Sequence, residues 1–135
     1  MMIYFDTNVL VYFSIDQDMS KQKKAKEIIK LAIKNEEFFI TPLVLSEYIF
    51  VLSKLKILNE QEEKIKFFTN FCHYCISIDD VIKSYGICKQ NSCRNINDAI
   101  HLTVAEKFCK ELVTFDADFK KFEKFSKIKI NILKD

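Results

Sequence analysis

A single glycine, Gly86, and a single proline, Pro42, are the only ones among 135 residues. All-β sandwiches and barrels need turn residues at about every 8 to 12 positions, so they are excluded. Collagen-like, linker and low-complexity classes fall for the same reason. With 49% hydrophobic residues, 30% charged residues and 13 Phe, the length and mix are those of one globular domain over residues 1–135. Such a domain buries about two thirds of the surface its unfolded chain exposes and is expected to fold without disulfide staples.

Charge and cysteine usage narrow the class further. The formal net charge is only +2, but residues 20–34 hold six Lys against one Glu and residues 119–135 hold six Lys against two acids. These are two solvated faces or one nucleic-acid-facing surface. Arg94 is the only arginine. Five cysteines, at 72, 75, 88, 93 and 109, are an odd number. No signal-peptide pattern precedes Asp6, so a cytoplasmic protein with reduced thiols is expected. Cys72 and Cys75 form a C-x-x-C pair, but Cys88 and Cys93 have the wrong spacing for the other half of a zinc site. The longest apolar run, Phe38 to Leu52, contains Pro42 and Glu47 and is shorter than the ~20 residues of a spanning helix, so no membrane segment is expected.

Met1 to Phe5 reads as a buried first strand, with Asp6, Thr7 and Asn8 as a turn and helix start. From Ser20 to Lys34, Ala25, Ile28, Ile29, Ala32 and Ile33 mark one apolar helix face, opposite the lysines. Phe38 to Ile40 is a short strand. Thr41-Pro42 caps a helix to about Leu55 that is apolar nearly all round and therefore either central or covered by another chain. A helix follows from Asn59 to about Cys72, then a strand over Cys75 to Ile78. Asp79 is expected to cap the next helix, which Gly86 shortens or bends. Another helix runs from Asn95 or Asn97 to about Lys110. Leu112 to Phe115 is a fourth strand, Asp116 to about Phe122 a helical turn, and Lys127 to Leu133 a half-exposed edge strand. Short strands alternating with longer helices predict an α/β fold with a parallel sheet covered on both faces. Its functional crevice lies beyond the carboxyl ends of the strands.

Three acids stand at or near those ends: Asp6 after the first strand, Asp116 after the fourth, and Asp98 at the start of the helix leading into the fourth. Glu47 interrupts the most apolar helix, where a carboxylate is costly unless paired or metal-bound. Helix capping accounts for Asp98 or Asp116 singly but not for Glu47 in mid-helix. Four acids in one crevice would repel unless divalent cations were present. An all-oxygen site with open positions suits Mg²⁺ or Mn²⁺, and such ions assist phosphodiester hydrolysis. Asp79 and Asp80 also follow a strand, but as cap and first-turn acids they are adequately explained.

Tyr4-Phe5-Asp6-Thr7-Asn8-Val9-Leu10 resembles the opening motif of PIN-domain ribonucleases, especially the VapC-type toxins of toxin–antitoxin pairs. Pro42-Leu43-Val44-Leu45-Ser46-Glu47 resembles their second motif, Asn97-Asp98-Ala99-Ile100-His101 the third, and Val113-Thr114-Phe115-Asp116-Ala117-Asp118-Phe119 the fourth. The four occur in the family's order and spacing across the chain. The resemblance implies a PIN fold, a three-layer α/β/α sandwich with a mainly parallel sheet of about five strands. It implies a cytoplasmic, Mg²⁺- or Mn²⁺-dependent endoribonuclease that leaves 5′-phosphate and 3′-hydroxyl ends and acts on an RNA substrate.

By the same resemblance Asp6, Glu47, Asp98 and Asp116 are the catalytic, metal-binding acids, with Asn8 and Thr114 as polar neighbours and Asn8 orienting Asp6. Asp118 either assists Asp116 or caps and faces solvent. His101, one turn after Asp98, either contacts a phosphate or carboxylate or is a satisfied, partly buried side chain; for His73 the structural reading is the default. A cognate antitoxin and a homodimer are the implied partners, with the helix from Pro42 and the Phe67, Phe68, Phe71 segment as candidate surfaces. Alternatives are a housekeeping RNA-processing enzyme and a non-catalytic PIN-fold binding module. A looser likeness of Asp6-Thr7-Asn8-Val9 to haloacid-dehalogenase-like phosphatases lacks the second acid, since position 8 is Asn. With the four acids assigned to one crevice, 21 basic residues face 15 others, a balance of +6 for the rest of the chain.

Overall fold

Strand β1, Met2–Phe5, is flanked on both sides by parallel partners. In the computed structural model, which describes residues 1–134, its neighbours are β2 (Phe38–Phe39) and β3 (Cys109–Thr114). Strand β4 (Lys129–Ile132) adds to β3, giving a four-stranded, all-parallel sheet in the order β2-β1-β3-β4. Parallel neighbours require crossovers. Helices α1 (Thr7–Ser14) and α2 (Met19–Lys34) carry the chain from β1 to β2. Helices α3 (Pro42–Lys54), α4 (Glu62–Phe68), α5 (Ile78–Asn91) and α6 (Ile96–Phe108) carry it from β2 to β3. The architecture is the expected three-layer α/β/α sandwich, with Tyr4, Phe5, Leu112 and Val113 of the central strands fully buried.

Local sequence explains most boundaries. Asp18 caps α2 through Lys21 N–H at 3.0 Å, and the buried residues Ala25, Ile29 and Ala32 fall on one helical face. Thr41 caps α3 ahead of Pro42 at the first helical position. Only Val44, Tyr48 and Leu52 of α3 are buried, while Phe50 is 61% exposed. The nearly all-apolar helix therefore keeps one face open.

Several expectations are corrected. No strand forms over Cys75 to Ile78, and Ile40 makes only an isolated bridge to Cys72. The reason is a capping box that starts α5 at Ile78. Asp80 N–H donates to Ser77 Oγ at 3.1 Å, Ser77 N–H donates to Asp80 Oδ2 at 2.9 Å, and Tyr74 donates to the same oxygen at 2.6 Å. Ser77, not Asp79, is thus the cap. Gly86 neither ends nor shortens α5, which runs through it to Asn91. The Asn59–Cys72 segment divides into α4 flanked by two 3-10 turns, Leu58–Gln61 and Thr69–Phe71. Phe68 is fully buried against Phe13, Phe38 and Tyr48, so it offers nothing to a partner surface. Cys88 and Cys93, expected as reduced thiols, form a disulfide with Cα atoms 4.8 Å apart. Ser92, in the left-handed region at φ 52°, turns the chain back to allow it.

The two lysine-rich segments are neighbours: the Lys24 ammonium donates to the Lys134 carbonyl. No helix among the described residues is long and apolar enough to cross a membrane.

Candidate metal centre and active site

Asp6 is the first residue past β1, and Asp116 lies two residues past the end of β3. Because β1 and β3 are paired, with Asp6 N–H donating to Val113 O at 3.0 Å, the two acids are delivered to the same end of the sheet. Glu47 comes from the middle of α3 and Asp98 from the first turn of α6. All four line one cavity of about 480 Å³, together with Thr7, Asn8 and an apolar wall that includes Tyr12, Phe50 and Leu55.

Asp6 is buried and held from several sides. Its Oδ1 accepts Thr7 N–H at 2.8 Å; its Oδ2 accepts Thr114 Oγ1 at 2.8 Å and Asn8 Nδ2 at 3.2 Å. Asn8 also donates to Thr114 Oγ1 at 3.2 Å and accepts Phe115 N–H at 3.0 Å, which ties α1 to the end of β3. Burial pushes the Asp6 carboxyl up, against the pull of the His101 charge and the Thr114 and Thr7 hydrogen bonds.

Glu47 has the opposite balance. Burial would raise it, but His101, Thr7 and Asn97 together hold it below the ordinary value. Its Oε1 accepts His101 Nε2 at 2.8 Å and Thr7 Oγ1 at 2.6 Å, and its Oε2 accepts Asn97 Nδ2 at 3.0 Å. His101, 1% exposed, is lowered by burial but raised overall by Glu47 and Asp6.

Asp98 receives neither a hydrogen bond nor an ion pair at its carboxylate from the described residues. Burial, then repulsion from Asp6, Asp116 and Glu47 with some relief from His101, pushes it up to about 6. Asp116 caps the 3-10 turn Ala117–Phe122, accepting Asp118 N–H at 2.9 Å. Arg94, four residues before Asp98 in the sequence, reaches Asp116 at 3.9 Å and Asp118 at 3.4 Å. Asp118 is held low, chiefly by Lys121 at 2.8 Å, and is not among the residues lining the cavity.

The donor set fits a hard divalent cation: oxygen ligands facing a cavity, one of them short of any neutralising partner. The closest grouping of potential ligand atoms is Asp6, Glu47 and His101, all within 4.8 Å of one another. Sequence reasoning gave Tyr4, Thr7, Thr41 and Asn97 no role at the site, although Thr41 was expected to cap the Pro42 helix. Thr7 and Asn97 stood inside the motifs, but their bonds to Glu47 span 40 and 50 residues. For Tyr4, the available signal was a phenol in a buried strand, which needs a hydrogen-bond partner.

A parallel α/β sandwich with a carboxylate-lined crevice at the strand ends defines a class of fold and site. Within that class, residues 3–125 match the PIN domain family model, and the chain belongs to the PIN-domain family. PIN domains are generally nucleases that use divalent metals. Among solved structures, the chain is similar to one from a toxin–antitoxin complex of Klebsiella pneumoniae. That match has a TM-score of 0.64 and 21% identity, and covers 91% of this chain and 92% of that one. It is also similar to a chain of VapBC2 from Rickettsia felis bound to a promoter DNA fragment. Here the TM-score is 0.65 and the identity 20%, and the match covers 99% of this chain and all of the other. A comparison with curated protein sequences finds no match.

Proposed function

We propose that the protein is a Mg²⁺- or Mn²⁺-dependent endoribonuclease, and that it is the toxin of a VapBC-type toxin–antitoxin pair. The observation that carries the reading is the convergence of Asp6, Glu47, Asp98 and Asp116, from four separate elements, on one cavity. Asp6, Glu47, Asp98 and Asp116 would hold the ion. A divalent cation there supplies water activation and stabilisation of the leaving oxygen of a phosphodiester.

The chain's own residues do the rest. Asn8 and Thr114 fix Asp6, and Thr7, Asn97 and His101 fix Glu47, so two carboxylates keep their geometry without reorganising during the reaction. Lysines bring the polyanion in. Lys21 lies 4.9 Å from the ring centroid of Tyr12, which lines the cavity, so the lysine-rich helix α2 begins at the cavity edge. The C-terminal lysines adjoin the same helix through Lys24, which favours a nucleic-acid-facing surface over unrelated solvated faces.

Similarity in fold to chains from a toxin–antitoxin complex and from VapBC2 supports an antitoxin partner. The open face of α3 with Phe50, and Phe67 at 45% exposed, are apolar surfaces that could receive it or a second copy. The test is cleavage of a single-stranded RNA by purified protein with Mg²⁺ or Mn²⁺. Asp6→Asn and Asp98→Asn should each lower the rate by about two orders of magnitude or more, and EDTA should abolish it. Cleavage that persists in either variant would overturn the catalytic assignment. An absence of carboxylate-dependent Mn²⁺ uptake in isothermal titration would favour the non-catalytic binding module.

A further inference from the structure

We propose that Tyr4 is a positioning residue that acts through His101 to orient Glu47, and that His101 holds a protonated Nε2 against Glu47 instead of ligating metal. The inference rests on the metal-site reading above. By spacing alone, Asp6, Glu47 and His101 look like three ligands of one ion. Their hydrogen bonds assign the roles differently.

Nε2 of His101 lies 2.8 Å from Glu47 Oε1 and 3.7 Å from Asp6 Oδ1. An ionised carboxylate can only accept, so the nitrogen at 2.8 Å is the donor and carries the proton. A protonated ring nitrogen has no lone pair to offer a cation. The second nitrogen, Nδ1, is 2.6 Å from the Tyr4 hydroxyl, which is 3.3 Å from Thr41 Oγ1. Thr41 is fixed in turn as the cap of α3, accepting Val44 N–H at 3.3 Å.

This pair of hydroxyls adapts to either charge state of the ring. With Nδ1 bare, Thr41 donates to Tyr4 and Tyr4 donates to Nδ1. With Nδ1 protonated, the ring donates to Tyr4 and Tyr4 donates to Thr41. In both arrangements Nδ1, the Tyr4 hydroxyl and Thr41 Oγ1 each keep a hydrogen-bond partner, and Nε2 keeps its proton on Glu47. Tyr4 and Thr41 have no exposed surface and His101 only 1%, so solvent is shut out of the chain of contacts. Losing the Tyr4 hydroxyl would leave a buried ring nitrogen unpaired. A phenol on β1, behind the site, thereby sets the orientation of a carboxylate in front of it. Groups that support metal ligands in this way change metal affinity when removed.

The test is nitrogen-15 spectroscopy of His101 in the full chain, metal-free and titrated with Mg²⁺, for the wild type and Tyr4→Phe. The only other histidine, His73, is exposed, so the two signals are separable. In the wild type, Nε2 is expected to be protonated throughout the titration. Tyr4→Phe retains the ring and is expected to move the Nδ1 resonance and weaken Mg²⁺ binding by about tenfold or more. Thr41→Ser, which keeps a hydroxyl, should remain close to the wild type in both readouts.

An Nε2 that is unprotonated in the metal-free protein, or loses its proton as Mg²⁺ binds, overturns the proposal. So does a Tyr4→Phe variant with unchanged Mg²⁺ affinity. The wild-type spectra decide the Nε2 question even if the variant fails to fold. A wild type that takes up no Mg²⁺ overturns the metal-centre reading, while the metal-free spectra still judge the Nε2 proton by itself.

Discussion

Asn97 Nδ2 donates to Glu47 Oε2 at 3.0 Å and so joins the first turn of α6 to the middle of α3. The contact lets a carboxylate reside in the most apolar helix of the chain. Each Glu47 oxygen has a neutral donor, Thr7 on one and Asn97 on the other, and neither donor occupies the face toward the cavity acids with a competing positive charge.

Asn97→Ala should therefore affect metal binding more than folding. The expected loss in Mn²⁺ affinity is about tenfold, against a stability change of about 1 kcal/mol for one hydrogen bond. Isothermal titration and urea denaturation on the same preparation measure the two. Equal losses in both would mean that Asn97 merely supports α6.

Asp98 predicts a pH dependence. Its carboxyl is pushed up to about 6, first by burial and then by its acidic neighbours. Below that pH a proton competes with the cation, so Mg²⁺ affinity should fall by about tenfold per pH unit as the solution is acidified through that range. In metal-free protein the sign for folding is the reverse. A folded carboxyl titrating above its unfolded value, about 4, disfavours the folded state increasingly as pH rises from about 4 through about 6. Asp98→Asn should accordingly raise the melting temperature in EDTA at about pH 8 and leave it unchanged near pH 4.

Asp80 is a structural acid despite following the third expected strand. It is fully buried, 2.5 Å from the Lys107 ammonium, and bonded to Tyr74 and Ser77. Burial opposes its charge, but Lys107, Tyr74 and Ser77 hold it far below the usual range. Asp80→Ala should cost about 3 kcal/mol near neutral pH, from the lost buried pair and the lost cap. Because the folded value is depressed, that contribution is present above about pH 4 and disappears as pH falls further. Urea melts at neutral and strongly acidic pH should show the gap between wild type and variant closing.

Gly86→Ala should stabilise the protein. The glycine is inside α5, its φ is not positive, and a Cβ there would meet nothing within 4 Å. Replacement should add about 1 kcal/mol and raise the melting temperature by roughly 4 °C. A lower melting temperature would show that the position needs the glycine.

The sequence by itself determined the α/β class, the parallel sheet, most helix starts and the candidate acids. These follow from local information: periodicity for α2, a cap and proline for α3, and acids at the ends of apolar runs. Where two local signals competed, the prediction failed. Cys75 to Ile78 has strand-like residues, but Ser77 and Asp80 form a capping box, and two directed hydrogen bonds outweigh a weak strand preference.

What only the tertiary structure decided is who touches whom. Arg94 is four residues from Asp98 in sequence but pairs with Asp116 and Asp118. Tyr4, Thr7, Thr41, Asn97 and His101 were scattered polar residues until β1, α3 and α6 were packed together around Glu47. Local sequence encodes propensity and pattern. A buried hydrogen-bond network is set by geometry between elements up to 97 residues apart, where one low-dielectric cavity makes every donor and acceptor count.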